Sequence, residues 1–137
     1  MKKKLLPLIV LVSLGVLLCG LGLLLNQNQT RVQVNALSHG LLACCDAAVP
    51  EKEGVFSPDR IRRVIQADLE APAEQRHLLP SFVSGNDVYF ANRAVSKGSD
   101  EIVCAVRLGK GKYCAVKANR AFVVLDQSHM DAWPSSQ

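Results

Sequence analysis

LLPLIVLVSLGVLLCGLGLLL, Leu5 to Leu25, is a run of 21 residues without a charge, interrupted in its apolar character only by Pro7, Ser13, Gly15, Gly20 and Gly22. A bilayer's hydrocarbon core, about 30 Å thick, is crossed by roughly 20 helical residues, so the run is long enough to span. Lys2, Lys3 and Lys4 precede it together with the amino terminus, whereas Asn26 to Thr30 beyond it is uncharged and Arg31 stands alone. The positive-inside rule therefore assigns residues 1–4 to a basic cytoplasmic tip, 5–25 to a transmembrane helix and 26–137 to an extracytoplasmic domain, periplasmic or extracellular.

Other readings of the same run fit less well. A cleavable signal peptide has an apolar core of about 7 to 15 residues and small residues at the cut. Gly20-Leu21-Gly22 supplies the small pair, but Leu23-Leu24-Leu25 carries the apolar run past it. A lipoprotein would be modified at Cys19, yet the preceding Leu18 is bulky where such sites carry a small residue. A basic leader, a long apolar helix and then a sheet is also the layout of pilins. Their processing signature, Gly followed by Phe and a Glu five positions in, is missing, so the similarity is of layout alone. Gly15, Cys19 and Gly22 fall on one helix face, where small residues let a second helix approach. Small residues are frequent in membrane helices in any case.

The 16 Lys and Arg of the chain include the three lysines of the tip, and the remaining 13 face 12 Asp and Glu. A nucleic-acid reader needs a basic face that releases counterions. Beyond Arg62-Arg63 no such run exists outside the tip, and nucleic acid is excluded as a partner. The partners expected are the lipid bilayer and either a second copy or another envelope protein.

The 112 residues beyond Leu25 predict a small α+β domain: one or two amphipathic helices, then an antiparallel β-meander. Val32, Val34, Leu37, Leu41, Cys44, Cys45 and Ala48 recur at spacings of three and four, a helical stripe that can continue the membrane span. Gly40 weakens it by about 1 kcal/mol relative to Ala. Pro50 and Gly54 end it, and Glu51-Lys52-Glu53 reads as a solvated loop. Ser57-Pro58-Asp59 starts a second helix: Ser57 is placed to accept an amide at the N-cap, Pro58 fits the first turn, and Asp59 meets the positive dipole end. Ile61, Val64, Ile65 and Leu69 form its buried stripe, and Pro72 stops it. Residues 71–84 read as loop.

From Asp87 the period changes to two. Val88 to Ala91, Glu101 to Leu108, Lys112 to Ala118 and Ala121 to Leu125 are strand-like runs separated by Gly- and Asn-containing turns. A three-residue turn with Gly111 left-handed pairs Leu108 with Lys112, Val106 with Cys114 and Cys104 with Val116. Cys104 and Cys114 then share one face. The tail from Gln127 is expected to be loose, with Trp133 capping the core.

Four of the five cysteines lie in the expected outer domain, an even number that predicts disulfides. Bridging the neighbours Cys44 and Cys45 strains the intervening peptide, which leaves Cys44 with Cys104 and Cys45 with Cys114, or the crossed pairing. Either closes loops of roughly 60 to 70 residues and adds about 2 to 4 kcal/mol. Against this, adjacent helical residues point about 100° apart, so only one of the two need face the sheet. The alternative is four free, buried thiols acting as small hydrophobes.

No metal, cofactor or catalytic residue is assigned. Zinc sites use short-spaced ligand pairs, and neither Cys44-Cys45 nor Cys104 to Cys114, even with His39, has that spacing. No Cys-x-x-Cys is present; Arg107 beside Cys114 is the only candidate for a cationic neighbour. His39, His77 and His129 are scattered, without H-E-x-x-H, G-x-S-x-G or Ser-x-x-Lys. Gly109-Lys110-Gly111-Lys112 lacks the earlier glycine of a phosphate loop and reads as a turn. Asn28-Gln29-Thr30 matches a glycosylation sequon but lies too near the span to be a good acceptor. The reading preferred is a membrane-anchored, non-catalytic binding or scaffolding domain. Its alternatives are a subunit of a pilus-like or envelope assembly, which requires an unbroken helix from Leu5 to near Ala48 and self-association, and an extracytoplasmic enzyme of unknown class.

Overall fold

A computed structural model describes residues 2–49, 52 and 54–136, and the chain divides into two compact units, Met1–Val34 and Asn35–Gln137. Helix α1, Lys2–Ala48, runs unbroken through both, the continuation that the apolar spacing allowed and the assembly reading required. In the first unit every residue from Leu5 to Leu25 is exposed, and the window of highest mean hydropathy reaches 2.9. The helix is thus long and apolar enough to cross a membrane. Two of its hydroxyls bond to their own helix: Ser13 Oγ donates to the carbonyl of Ile9 at 2.8 Å, and Thr30 Oγ1 to that of Asn26 at 3.0 Å.

The second unit is α+β. After α1 come β1 (Val55–Phe56), α2 (Pro58–Glu70), β2 (Val88–Ala91), β3 (Val95–Ser96), β4 (Ile102–Gly109), β5 (Lys112–Lys117), β6 (Phe122–Asp126), α3 (Gln127–Ala132) and β7 (Ser135–Ser136). The main sheet has the order β6-β5-β4-β2-β7, all antiparallel, and β1 with β3 forms a separate two-stranded ribbon. The four expected meander strands are therefore present as β2, β4, β5 and β6, and the β1–β3 ribbon and β7 are additions that the sequence pattern did not predict. Pro50, Glu51 and Glu53, expected to end the first helix and form a loop, lie outside the described residues.

Helix α2 starts as expected at Ser57-Pro58, but Ser57 makes no side-chain cap bond. Only its backbone takes part, accepting from the Ile61 amide at 3.2 Å. Ile61 and Ile65 are fully buried and Val64 and Leu69 half-buried, the predicted stripe. The central hairpin pairs Val106 with Cys114 and Cys104 with Val116, as predicted, but its tip differs. Gly109 rather than Leu108 opposes Lys112, after a bulge beyond Arg107. Lys110 and Gly111 both adopt positive φ, 52° and 69°, forming a two-residue turn whose twist matches the flanking strands. The bulge absorbs the odd residue that a three-residue turn would have held.

The sheet has two apolar faces. Val88, Phe90, Cys104, Val106, Cys114 and Val116 form one, covered by the Asn35–Ala48 part of α1 and by α2. Ala105, Tyr113 and Ala115 form the other, closed by Met130 of α3 with Trp133 beside it. Coverage on both sides explains the continuous apolar runs of β4 and β5. The tail expected to be loose is thus an ordered layer, and Trp133 packs on the core as predicted. Its start is a side-chain cap, Asp126 accepting from the His129 amide. The Ser128 hydroxyl first, then His129, hold the Asp126 carboxyl well below the usual carboxylate range.

Candidate functional site

The first sheet face carries the thiols singled out from the sequence, and the fold brings all four into the core. Cys44, Cys45, Cys104 and Cys114 are each at most 2 % exposed. Adjacent helical residues diverge, yet both Cys44 and Cys45 are enclosed because α1 is covered on two sides. Cys45 turns to the sheet and shares a thiol hydrogen bond with Cys104, while Cys44 lies near Asp68 of α2. Cys114 Sγ meets Ser38 Oγ at 3.4 Å, its polar contact at that end of the face. All five cysteines are free thiols, so the staples anticipated from the sequence are not formed in this structure. Arg107, expected beside Cys114, sits on the opposite face instead. It donates to Tyr89 Oη at 2.6 Å and lies over the Tyr89 and Tyr113 rings at 5.9 and 5.8 Å.

This setting makes the thiols inert rather than nucleophilic. Burial, then the charges of Cys45 and Asp68, push the Cys44 thiol up to about 12 from an ordinary 9.0. The hydrogen bond with Cys45, then burial, holds Cys104 well above its ordinary range. Burial also raises Cys114, partly countered by Ser38. A reactive cysteine needs the opposite, an exposed thiol with a lowered pKa.

A pH dependence follows. The unfolded thiols ionise near 9 and the folded ones well above it, so the fold favours the neutral form. Its contribution is complete below about pH 8.5 and is lost as pH rises toward 12. Thermal unfolding of the detergent-solubilised chain is expected to show a midpoint steady from pH 7 to 8.5 and falling steadily above it. A midpoint flat to pH 11 contradicts the neutral-thiol core.

Two polar residues that sequence spacing did not single out order the connection after α2. The Asp68 carboxylate accepts from the amides of His77, Leu78 and Leu79 at 3.1, 3.2 and 2.8 Å. The Arg76 guanidinium donates to the carbonyls of Val83 at 2.9 Å and Ser81 at 3.3 Å. Residues 71–84 are therefore an anchored loop. Their carbonyl at Leu78 lies so close to α1 that a Cβ on Gly40 would collide with it.

A surface groove of about 620 Å³ lies where Asp46 and Val49 meet Phe56, Lys97, Asn119 and Arg120. Arg120 clamps Asp46 with two bonds, at 2.5 and 3.1 Å, and Lys97 Nζ stands 5.5 Å over the Phe56 ring. Among the described residues the groove's lining has no histidine, cysteine or serine; its carboxylate is paired with Arg120, and its one lysine, Lys97, stands over the Phe56 ring. His39, His77 and His129 are all exposed, and none lines it. Among the described residues no group of three His, Cys, Asp or Glu is placed to hold a metal ion. Gly15 and Gly22 have open space where a Cβ would stand, and Cys19 is exposed, so their face of α1 is accessible in the single chain.

Comparison with protein-family profiles, with curated proteins and with solved structures finds no match.

Proposed function

We propose that the chain is a single-pass membrane protein, N-terminus in the cytoplasm, whose outer α+β unit binds or scaffolds a partner and performs no catalysis. The observation that carries this reading is the helix Leu5–Leu25. All of its residues are exposed, its mean hydropathy is high, and its one hydroxyl is bonded to the helix backbone. Leaving such a surface in water forfeits about 25 cal/mol for each Å² of apolar area, and lipid removes that cost. The three lysines at its start set the orientation. Enclosed core thiols with raised pKa values, and a groove whose described lining holds no histidine, cysteine or serine, support a binding role over an enzymatic one.

The unbroken α1 favours a second reading, a subunit of an envelope assembly, since that arrangement requires a helix continuous to near Ala48. The two readings share the anchor and differ in whether the partner is another copy.

Labelling across a sealed membrane tests the orientation. Ser81 is exposed, so Ser81→Cys offers a thiol on the second unit beside native cysteines that are buried or within the span. In cells with an intact plasma membrane, a membrane-impermeant maleimide is expected to label Ser81→Cys and leave the parent chain unlabelled. Labelling only after lysis reverses the orientation.

A further inference from the structure

Three contacts inside the second unit fix how α1 lies on the sheet. Ser38 meets Cys114, Cys45 meets Cys104, and Asp46 meets Arg120, which follows β5. Cys104 is the ladder partner of Val116, so along α1 the contacts advance from Cys114 past the level of Val116 to Arg120. Helix and β5 therefore run in the same direction. The turn that opens β5, Gly109-Lys110-Gly111, lies at the Asn35 end of the unit, where the chain enters from the apolar run. The turn that follows β5, Ala118 to Arg120, lies at the far end.

The two ends treat their cations differently. At the far end Lys117 pairs with Asp100 at 2.8 Å, and Arg93 with Glu101 and Arg120 with Asp46, both at 2.5 Å. At the entry end Lys110 and Lys112 are exposed and have no ion pair among the described residues. Asp126, the ladder partner of Lys112, is bonded to Ser128 and His129 instead. Asp87 precedes β2, level with Arg107 rather than with the turn. Lys110 also carries backbone strain. Its φ of 52° is one that glycine, asparagine or aspartate adopts more readily, and no hydrogen bond or ion pair of its side chain within the described chain offsets it.

We propose that Lys110 and Lys112, at the tip of the β4–β5 hairpin, rest on the phosphate headgroups of an anionic lipid surface, in the same membrane that holds α1. This inference rests on the membrane-anchored reading and adds a second contact to it. Ser38 follows Leu25 by 13 residues, which an unbroken helix covers in about 20 Å. The turn extends roughly 10 to 13 Å past Cys114 toward the entry end. The remaining gap of roughly 7 to 10 Å is closed by a lysine side chain together with a headgroup layer of about 5 to 7 Å. A lysine at an anionic surface favours contact roughly fivefold, and two do so about twentyfold to thirtyfold. The tether keeps both beside the headgroups, so a contact too weak for a free protein is populated.

The test uses the full-length chain in nanodiscs of phosphatidylcholine alone, or of phosphatidylcholine and phosphatidylglycerol in equal parts. Amide hydrogen exchange of residues 108–112 is expected to slow roughly threefold or more in the mixed discs, with residues 118–120 unchanged. High salt is expected to erase the difference. Lys110→Asn combined with Lys112→Gln removes both charges and gives the turn a residue suited to positive φ. That double variant is expected to keep the parent's thermal midpoint in detergent, or raise it, while its exchange no longer distinguishes the two discs. Equal exchange of the parent in both discs, or slowing that persists in the double variant, overturns the contact. A chain that enters the discs with a tip indifferent to lipid charge leaves the anchor standing, whereas a chain that does not enter them overturns the anchor as well.

Discussion

Gly40→Ala lowers the stability of the folded unit, although the same exchange inside an isolated helix raises it by about 1 kcal/mol. The added Cβ points at the carbonyl oxygen of Leu78, with Leu79 Cδ2 at 3.4 Å as its next neighbour. A side chain in that place can rotate away, but a backbone carbonyl moves only with its loop. That loop is held by Asp68 through the amide of Leu78 itself and of the residues on either side. Forcing an atom into a packed site costs about 1 to 3 kcal/mol, and a clash with a backbone oxygen falls in the upper part of that range, about 2 to 3, so the propensity gain is reversed and a net loss of about 1 to 2 kcal/mol results. For a unit of this size that is a fall of roughly 5 to 10 °C in the thermal midpoint, read by circular dichroism in detergent. An unchanged or higher midpoint contradicts the close approach of α1 and the loop.

Asp68→Ala has the larger effect. Its carboxylate accepts three consecutive backbone amides, and hydrogen bonds to a charged group are worth about 1.5 to 3 kcal/mol each before non-additivity. With the side chain gone, those amides turn to water and the loop loosens. A loss of about 3 kcal/mol is expected, with faster hydrogen exchange confined to residues 72–84. Asp68→Asn falls between, because one amide oxygen remains as acceptor while the NH₂ faces donors. Combining the two substitutions is diagnostic. Once Asp68 no longer holds the loop, the Leu78 carbonyl can retreat, so Gly40→Ala costs less in the Asp68→Ala background. Strictly additive losses contradict the coupling of helix, loop and carboxylate.

These residues mark the limit of what the sequence made legible. Local periodicity carried far: the unbroken α1, the start of α2, four meander strands and the facing of Cys104 and Cys114 follow from spacings of 3.6 and 2. Where the reading failed, the deciding contact was remote in sequence or the signal was read too narrowly. Gly40 registered as a helix weakness because Leu78 has no spacing relation to it. Asp68 and Arg76 carried no signal, since nothing local shows that they bond successive backbone groups of a loop. The adjacency of Cys44 and Cys45 showed that only one need face the sheet, as Cys45 does, but nothing local showed that α2 encloses the other. Helix α3 did carry a usable signal, Asp126 three residues before His129, a capping distance hidden by the polar composition of the tail.

The account stands on a helix that remains attached and sits in lipid, and one measurement bears on it most directly: the intact mass of the chain recovered from carbonate-washed membranes. The expected result is the full 14.9 kDa polypeptide in the membrane pellet, with no added lipid. Recovery of a shorter chain in the soluble fraction, lacking the residues up to about Leu25, contradicts it.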